Sequence, residues 1–492
     1  MIMKILILTE GGKRIGFGHI ARSGALCDAL EEKGASSILV VNADNSVKVL
    51  LKNRKYIILN WIQERAKLFS LLAGADMAII DSYLAGTDLY KSISEKVGTV
   101  VCLDDNKRIR YPRGFVVNGS IYAKKLKYPR TGNVKYLLGA EYTPLGRAFW
   151  SVPEKNIRTI LESVLITFGG DDLRNITPQV LKLLVAKFPR LIKRVIVGYG
   201  FSDHNRRQIK KAADGKTELI YHPDARRLRD AMLSCDIAVS AAGQTLYELA
   251  RVGVPTVAVA VAENQLNNAK GWHSAGFISY AGWWDGKDLL SRVIGGINYL
   301  EDKDVRIEKS AIGMKFVDGN GCNRISNFII DYLKKCESKN KIKLKLANRS
   351  DCKDIWLWRN CAEVRKASFY NRLIKWQEHE RWFNLRIACR KTAIYIAEKD
   401  AKKIGVIRFD VKRKYVAVSV NLNPAFFGMG LGAKIIKLGT KRFCLDTKEM
   451  KPIVAEIKKD NIASRKAFSR AGYEYAGNAK GKDIYKTGSR HD

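Results

Sequence analysis

Four glycines and a histidine fall within nine residues near the start of the chain: Gly11-Gly12-Lys13-Arg14-Ile15-Gly16-Phe17-Gly18-His19. Glycine lets backbone N–H groups approach a ligand closely, and histidine titrates near neutrality, so such a turn can hold an anion and accept a proton. Two more turns of this kind follow apolar runs, at Gly169-Gly170-Asp171-Asp172 and at Ala241-Ala242-Gly243-Gln244-Thr245-Leu246-Tyr247-Glu248. The N–H groups at a helix start favour phosphate. Three such turns predict a nucleotide site between paired sheets. A further glycine-rich turn, Gly428-Met429-Gly430-Leu431-Gly432, opens a helix near the C-terminus.

The elements that position these turns alternate up to about residue 335. Apolar strands are predicted at Lys4–Leu8, Ser37–Val41, Met77–Ile80, Thr99–Leu103, Val164–Phe168, Arg194–Val197, Ile237–Ser240 and Thr256–Val261, with amphipathic helices between them. Short buried strands alternating with helices predict parallel, doubly wound sheets, and the run is long enough for two, joined near Phe149–Asn156. Thr177-Pro178 is the predicted start of the helix after the second turn. The stretch KKCESKNKIK around Lys334–Lys343 reads as a linker or helix end. Beyond it come a helical front, Cys352–Ala388, and strands Ala393–Glu398, Lys403–Asp410 and Tyr415–Asn421.

A chain of 492 residues exceeds what one core supports, so two or three domains are expected. The longest apolar run, Val252–Ala262, is broken by Gly253 and Pro255 and is too short to span a bilayer, and the first strand lacks a cleavage site. A cytoplasmic protein is expected. Nine scattered cysteines without a C-x-x-C pair predict reduced, structural thiols and no metal centre. Against 49 acidic residues stand 87 Lys and Arg, a formal charge of +38. They are spread along the chain, with no zinc-finger spacing, RNP motif or helix-turn-helix, so anionic substrates are expected before nucleic acid.

Residues Ala242–Gly253 with Glu263-Asn264-Gln265 resemble the donor-binding segment of MurG-type GT-B glycosyltransferases. Together with the Gly-Phe-Gly-His turn, Asp81-Ser82-Tyr83, Leu103-Asp104-Asp105, Val117-Asn118-Gly119 and Phe168-Gly169-Gly170-Asp171, they look like the PseG-type UDP-2,4-diacetamido-2,4,6-trideoxy-altropyranose hydrolases. That resemblance covers about residues 3 to 330 and implies two Rossmann-like domains holding a sugar nucleotide, with no metal. It makes His19 the base that activates water for inverting attack, with Asn264 and Tyr83 also at the catalytic centre. Gly16, Gly18, Asp81, Gly169, Gly170, Asp171, Gly243, Gln244, Thr245, Glu248 and Gln265 would contact substrate, Glu248 through the ribose. Ala241-Ala242 stand where the family often has serine, which removes one hydroxyl contact to phosphate.

The C-terminal segment resembles the GNAT superfamily of N-acetyltransferases. Its Arg/Gln-x-x-Gly-x-Gly/Ala motif is matched by Gly428, Gly430 and Gly432, which would cradle the pyrophosphate of acetyl-CoA as cosubstrate, while Phe427 occupies the Arg/Gln place. Asn461 would orient the pantetheine arm and Glu456 is the candidate base. Phe468 stands where many relatives carry a proton-donating Tyr. Trp358-Arg359-Asn360, Val364-Arg365, Trp376, His379 and Trp382 look like the PseH acetyltransferases, which implies a UDP-linked 4-amino sugar as acceptor and aromatic stacking on uracil.

The expected architecture is thus α/β, two Rossmann-like domains of GT-B type (residues 1–150 and 151–335), a linker (336–343) and an α+β GNAT domain (344–492). The expected function is hydrolysis of a UDP-diacetamido sugar and acetylation of a UDP-amino sugar in pseudaminic acid synthesis. Two alternatives stay open: a GT-B glycosyltransferase fused to the GNAT domain, and a basic nucleic-acid-binding protein that acetylates proteins. Membrane partners are not expected, and the sequence leaves the oligomeric state open.

Overall fold

The computed structural model describes residues 3–12, 16–129, 132–340, 342–479 and 481–487, with side chains omitted for 336–340. Lys13, Arg14 and Ile15 of the first glycine-rich turn lie outside the described residues. The chain divides into two compact units, Met1–Asp331 and Tyr332–Asp492.

The first unit holds two parallel sheets. Strands β1 (Lys4–Glu10), β2 (Ser36–Asn42), β3 (Tyr56–Ile58), β4 (Met77–Asp81), β5 (Thr99–Leu103), β6 (Gly114–Asn118) and β7 (Val134–Leu138) lie in the order β3-β2-β1-β4-β5-β6-β7. Strands β8 (Ser163–Thr167), β9 (Ile192–Val197), β10 (Thr217–Tyr221), β11 (Ile237–Ala241), β12 (Thr256–Ala260) and β13 (Ile278–Trp283) lie in the order β10-β9-β8-β11-β12-β13. Strands β4, β5, β8, β11 and β12 are buried at every position, as near-continuous apolar runs between helical layers must be. The strand order reverses between β1 and β4 in one sheet and between β8 and β11 in the other. Loops at such switch points diverge and leave a crevice at the strands' carboxyl ends.

The expected α/β architecture is therefore present, and every strand predicted from the apolar runs exists. The weaker strands β3, β6, β7, β10 and β13 went unread, because most are short or partly exposed. The helix after β8 starts at Ile176 and not at Thr177-Pro178, because the Asp172 carboxylate accepts from Ile176 N and Thr177 N and sets the start earlier. Helix Gly321–Asn340 returns to the first sheet, where Phe328 meets Phe115 edge-on at 4.8 Å and Arg324 donates to the Glu141 carbonyl. Its length occupies residues expected as linker up to Asn340.

In the second unit, β14 (Lys343–Leu346), β15 (Thr392–Lys399), β16 (Lys402–Val411), β17 (Val416–Leu422), β18 (Ile453–Lys458), β19 (Tyr473–Ala479) and β20 (Lys482–Thr487) form one sheet, ordered β14-β15-β16-β17-β18-β20-β19. All neighbours are antiparallel except β17 and β18, which pair in parallel over only Val416↔Ile453 and Ala417↔Val454 before they part. The helical front is not continuous. It breaks into Cys352–Asn360, Ala362–Ala367 and Trp376–Ile387, since Asn360 and Arg365 tie the intervening segment down through Ile374 and Asn371. No helix among the described residues is long and apolar enough to cross a membrane. The eight described cysteines are all unbridged.

Candidate functional sites

His19 stands on the first turn of helix Gly18–Glu31, directly after β1, and Asp81 ends β4 across the switch point. Their side chains meet at 2.6 Å through Nδ1 and Oδ1. A neutral imidazole that donates to this carboxylate from Nδ1 keeps its lone pair on Nε2. Burial opposes the Asp81 charge, but Arg22 and then His19 outweigh it and hold the carboxyl well below the usual range. Asp81 is fully enclosed and also receives Ser23 Oγ at 3.0 Å. Asp81, expected to contact substrate, is not among the residues lining the cavity described next; its carboxylate holds His19, Arg22 and Ser23.

Tyr83 packs its ring edge-on to His19, 4.4 Å between centroids, and its hydroxyl donates to Asp105. Burial and the neighbouring Asp105 raise its phenol far above the ordinary value, so it stays protonated. The loop that carries Tyr83 is pinned from below by the buried Glu10, whose carboxylate accepts Ser82 Oγ at 2.5 Å and Tyr83 N at 2.6 Å.

Facing this group across a cavity of about 220 Å³ are Gly243, Gln244, Asn264 and Gln265. Gln244 precedes the eight-residue helix Thr245–Val252, which starts directly after the turn that follows β11. Gln265 is held by Val261 N at 3.1 Å. Asn268, which sequence reasoning missed, donates to the Ala242 carbonyl at 2.8 Å and so shapes the turn. Glu248 sits half-buried without a hydrogen-bond or ion-pair partner among the described residues, and burial lifts its carboxyl to about 7.

The structure thus brings His19, Tyr83, Gly18, Gly243, Gln244, Asn264 and Gln265 around one cavity. Others of the expected set stand off it. Gly16 bridges to Gly12, Thr245 is the first helical residue, and Gly169, Gly170, Asp171 and Glu248 are not among the residues lining this cavity. Gly170 still lies against Phe17, 3.3 Å from a notional Cβ, and burial raises the Asp171 carboxyl. Arg22, Asp105, Ser120, Tyr122 and Tyr247 also line the cavity and were missed as site residues. The available signal for Arg22 was its i+3 spacing from His19, which places both on one helical face.

A second cavity, of about 770 Å³, lies in the C-terminal unit where β17 and β18 part. Gly428 and Gly432 line it, and Gly430 caps helix Leu431–Thr447 with φ +66°. Asn461 lines it too, with its side chain occupied by Ser464 N at 2.9 Å and the Ala367 carbonyl at 3.2 Å. Glu456 reaches the same space from β18, paired with Lys482 at 2.7 Å. Phe427 and Phe468, the two departures from the GNAT pattern, both line it. Of the front aromatics, Trp382 lines the cavity beneath the Arg408 guanidinium at 5.1 Å, whereas Trp358 and Trp376 pack into the apolar cluster behind it.

Among the described residues no group of three His, Cys, Asp or Glu side chains is placed to hold a metal ion. Comparison with known proteins divides the chain in the same way. Residues 341–474 match the acetyltransferase (GNAT) domain family. The chain is 25% identical over 277 residues to the pseudaminic acid cytidylyltransferase and UDP-2,4-diacetamido-2,4,6-trideoxy-beta-L-altropyranose hydrolase of Helicobacter pylori, 56% of this chain and only about half (47%) of that protein. It is 22% identical over 274 residues to the Campylobacter jejuni UDP-2,4-diacetamido-2,4,6-trideoxy-beta-L-altropyranose hydrolase, 54% of this chain and 95% of that one. An uncharacterised Methanocaldococcus jannaschii protein is 22% identical over 490 residues, 96% of this chain and 97% of that protein. The UDP co-structure of Staphylococcus aureus MnaA shares the fold over 68% of this chain and 97% of its own, with 14% identity and a TM-score of 0.50. The chain therefore joins an N-terminal segment similar to UDP-diacetamido-altropyranose hydrolases to a C-terminal acetyltransferase (GNAT) domain.

Proposed function

We propose that the first unit hydrolyses a UDP-linked 2,4-diacetamido-2,4,6-trideoxy sugar, and that the second acetylates the 4-amino group of its UDP-linked precursor. The observation that carries the first half is the His19–Asp81 pair at the switch point of one sheet, facing the helix start at Gln244 and Asn264 of the other. Water gives a proton to His19 Nε2 while its oxygen attacks the anomeric carbon. The bond to the β-phosphate oxygen breaks with its electron pair, and the anomeric centre inverts. Backbone N–H groups at Gly243–Thr245 offset the charge that develops on the diphosphate, which serves in place of a metal. Glu248, half-buried and without a partner among the described residues, is suited to the ribose hydroxyls.

In the second unit the amine attacks the thioester carbonyl of acetyl-CoA and gives a proton to Glu456, the C–S bond breaks, and the thiolate takes a proton from water while Glu456 returns its own to solvent. The glycine turn 428–432 would hold the pyrophosphate. Both reactions lie in pseudaminic acid synthesis, on adjacent steps.

The test is incubation with the UDP-diacetamido sugar and no acceptor, followed by NMR of the products. Free sugar, inverted at the anomeric carbon, and UDP are expected, lost in His19→Asn while CoA-dependent acetylation persists. Release of little free sugar until an acceptor is added favours the transferase reading instead.

A further inference from the structure

Arg22 follows His19 by three residues and turns its guanidinium behind the imidazole. Nε donates to Asp81 Oδ2 at 2.7 Å and Nη2 to Asp81 Oδ1 at 2.5 Å, while Nη1 spans both oxygens of Asp105 at 2.8 Å. The same Nη2 stands 3.1 Å from His19 Nδ1. The side chain is 10% exposed and lines the cavity beside His19. The charged and titratable groups around the imidazole are Asp81 from β4, Tyr83 from the loop after it, and Arg22 from its own helix. Asp105, after β5, joins them through Arg22 and Tyr83. From the second sheet the facing groups, Gln244 and Asn264, are uncharged.

One carboxylate, Asp81, thus touches the imidazole, and a second, Asp105, stands beyond Arg22. A carboxylate in contact with the ring favours imidazolium, and a histidine that is already protonated cannot take a proton from water. The guanidinium never gives up its charge and sits almost as near Nδ1 as Asp81 does, so it works against imidazolium. It also keeps Asp81 ionised, which leaves the proton taken from water on His19. We propose that Arg22 is a positioning residue whose fixed charge, clamped between Asp81 and Asp105, holds His19 neutral and able to act as a base. As a mechanism of catalysis this rests on the hydrolase reading. As a statement about His19 protonation it does not.

The experiment is an NMR pH titration of the full chain labelled with ¹⁵N-histidine, with His19 assigned by its absence in His19→Asn. In Arg22→Met the His19 midpoint should rise by about one pH unit or more, and in Arg22→Lys by less. In Asp105→Asn it should fall. Opposite signs are what a merely structural role would not give. The acid limb of kcat/KM for UDP release should move with the midpoint. A folded Arg22→Met with an unchanged midpoint overturns the proposal, as does a shift of the two variants in one direction. If Arg22→Met does not fold, Asp105→Asn decides alone: a midpoint that stays or rises overturns it. If the unsubstituted chain releases no UDP, the hydrolase reading falls while the titration still answers for Arg22.

Discussion

The backbone N–H of Ile121 donates to the Tyr247 hydroxyl at 3.0 Å, and that hydroxyl donates onward to Asn268 Oδ1 at 2.6 Å. Ile121 follows β6 of the first sheet and Tyr247 lies in the helix after β11 of the second, so one side chain ties the two walls of the cavity together. Tyr247→Phe leaves an N–H and an amide oxygen unmet, each worth about 1–3 kcal/mol when buried. A lower urea midpoint with an unchanged m-value is expected, with KM for the UDP-sugar raised more than kcat is lowered.

Glu248 carries a pH signature. Below the unfolded carboxyl's pKa both states hold the proton, whereas between that value and about 7 only the folded state does. Stability from this group is therefore greatest in acid, declines as pH rises to about 7, and is flat beyond. Glu248→Gln should remove that slope in urea melts from pH 5 to 8. UDP should also bind the unsubstituted chain more tightly above pH 7 than below it, since ribose hydroxyls donate best to the ionised carboxylate, and isothermal titration at several pH values reads this out.

At the glycine turn, Gly430 and Gly432 make a matched pair. Gly430 holds φ +66° with open space at its Cβ position, while a Cβ on Gly432 would sit 3.6 Å from Ala467 Cβ at an ordinary φ. Gly430→Ala should cost about 1–2 kcal/mol through left-handed strain and raise KM for acetyl-CoA several-fold. Gly432→Ala should leave stability nearly unchanged. Thermal melts and thiol-release assays separate the two.

Glu456 and Lys482 are each more than one-third exposed, and such solvated pairs contribute about 0–1 kcal/mol. Glu456→Gln should therefore leave stability alone and lower kcat for acetyl transfer without changing KM for acetyl-CoA. Transfer at full rate would remove Glu456 as the base.

The legibility of the sequence followed its chemistry. Buried parallel strands announce themselves as apolar runs, which is why β1, β4, β8 and β11 were visible and the helix-start turns after them could be placed. His19 stood out because a titratable side chain closing a glycine-rich turn is rare. Arg22, Asp105 and Glu10 did not, because each acts through a partner 59 to 83 residues away that only the strand order brings near. The motif shows Asp81 as a site residue but not its burial to 0% exposure, which is a property of the packed sheet. In the second unit the glycine spacing showed the turn, yet nothing in Cys352–Ala388 signalled the break before Trp376, which side-chain bonds to backbone carbonyls impose.

The two-residue pairing of β17 with β18 has a thermodynamic corollary. Beyond Ala417 and Val454 the facing strand edges lack each other's backbone hydrogen bonds, and a chain of amides laid in that gap would complete the ladder. A ligand that supplies them binds the folded sheet and not the unfolded chain, so occupancy becomes stability, about 2.7 kcal/mol at a hundredfold excess over Kd. The melting temperature of this unit should then climb with the logarithm of ligand concentration and report loading without any turnover.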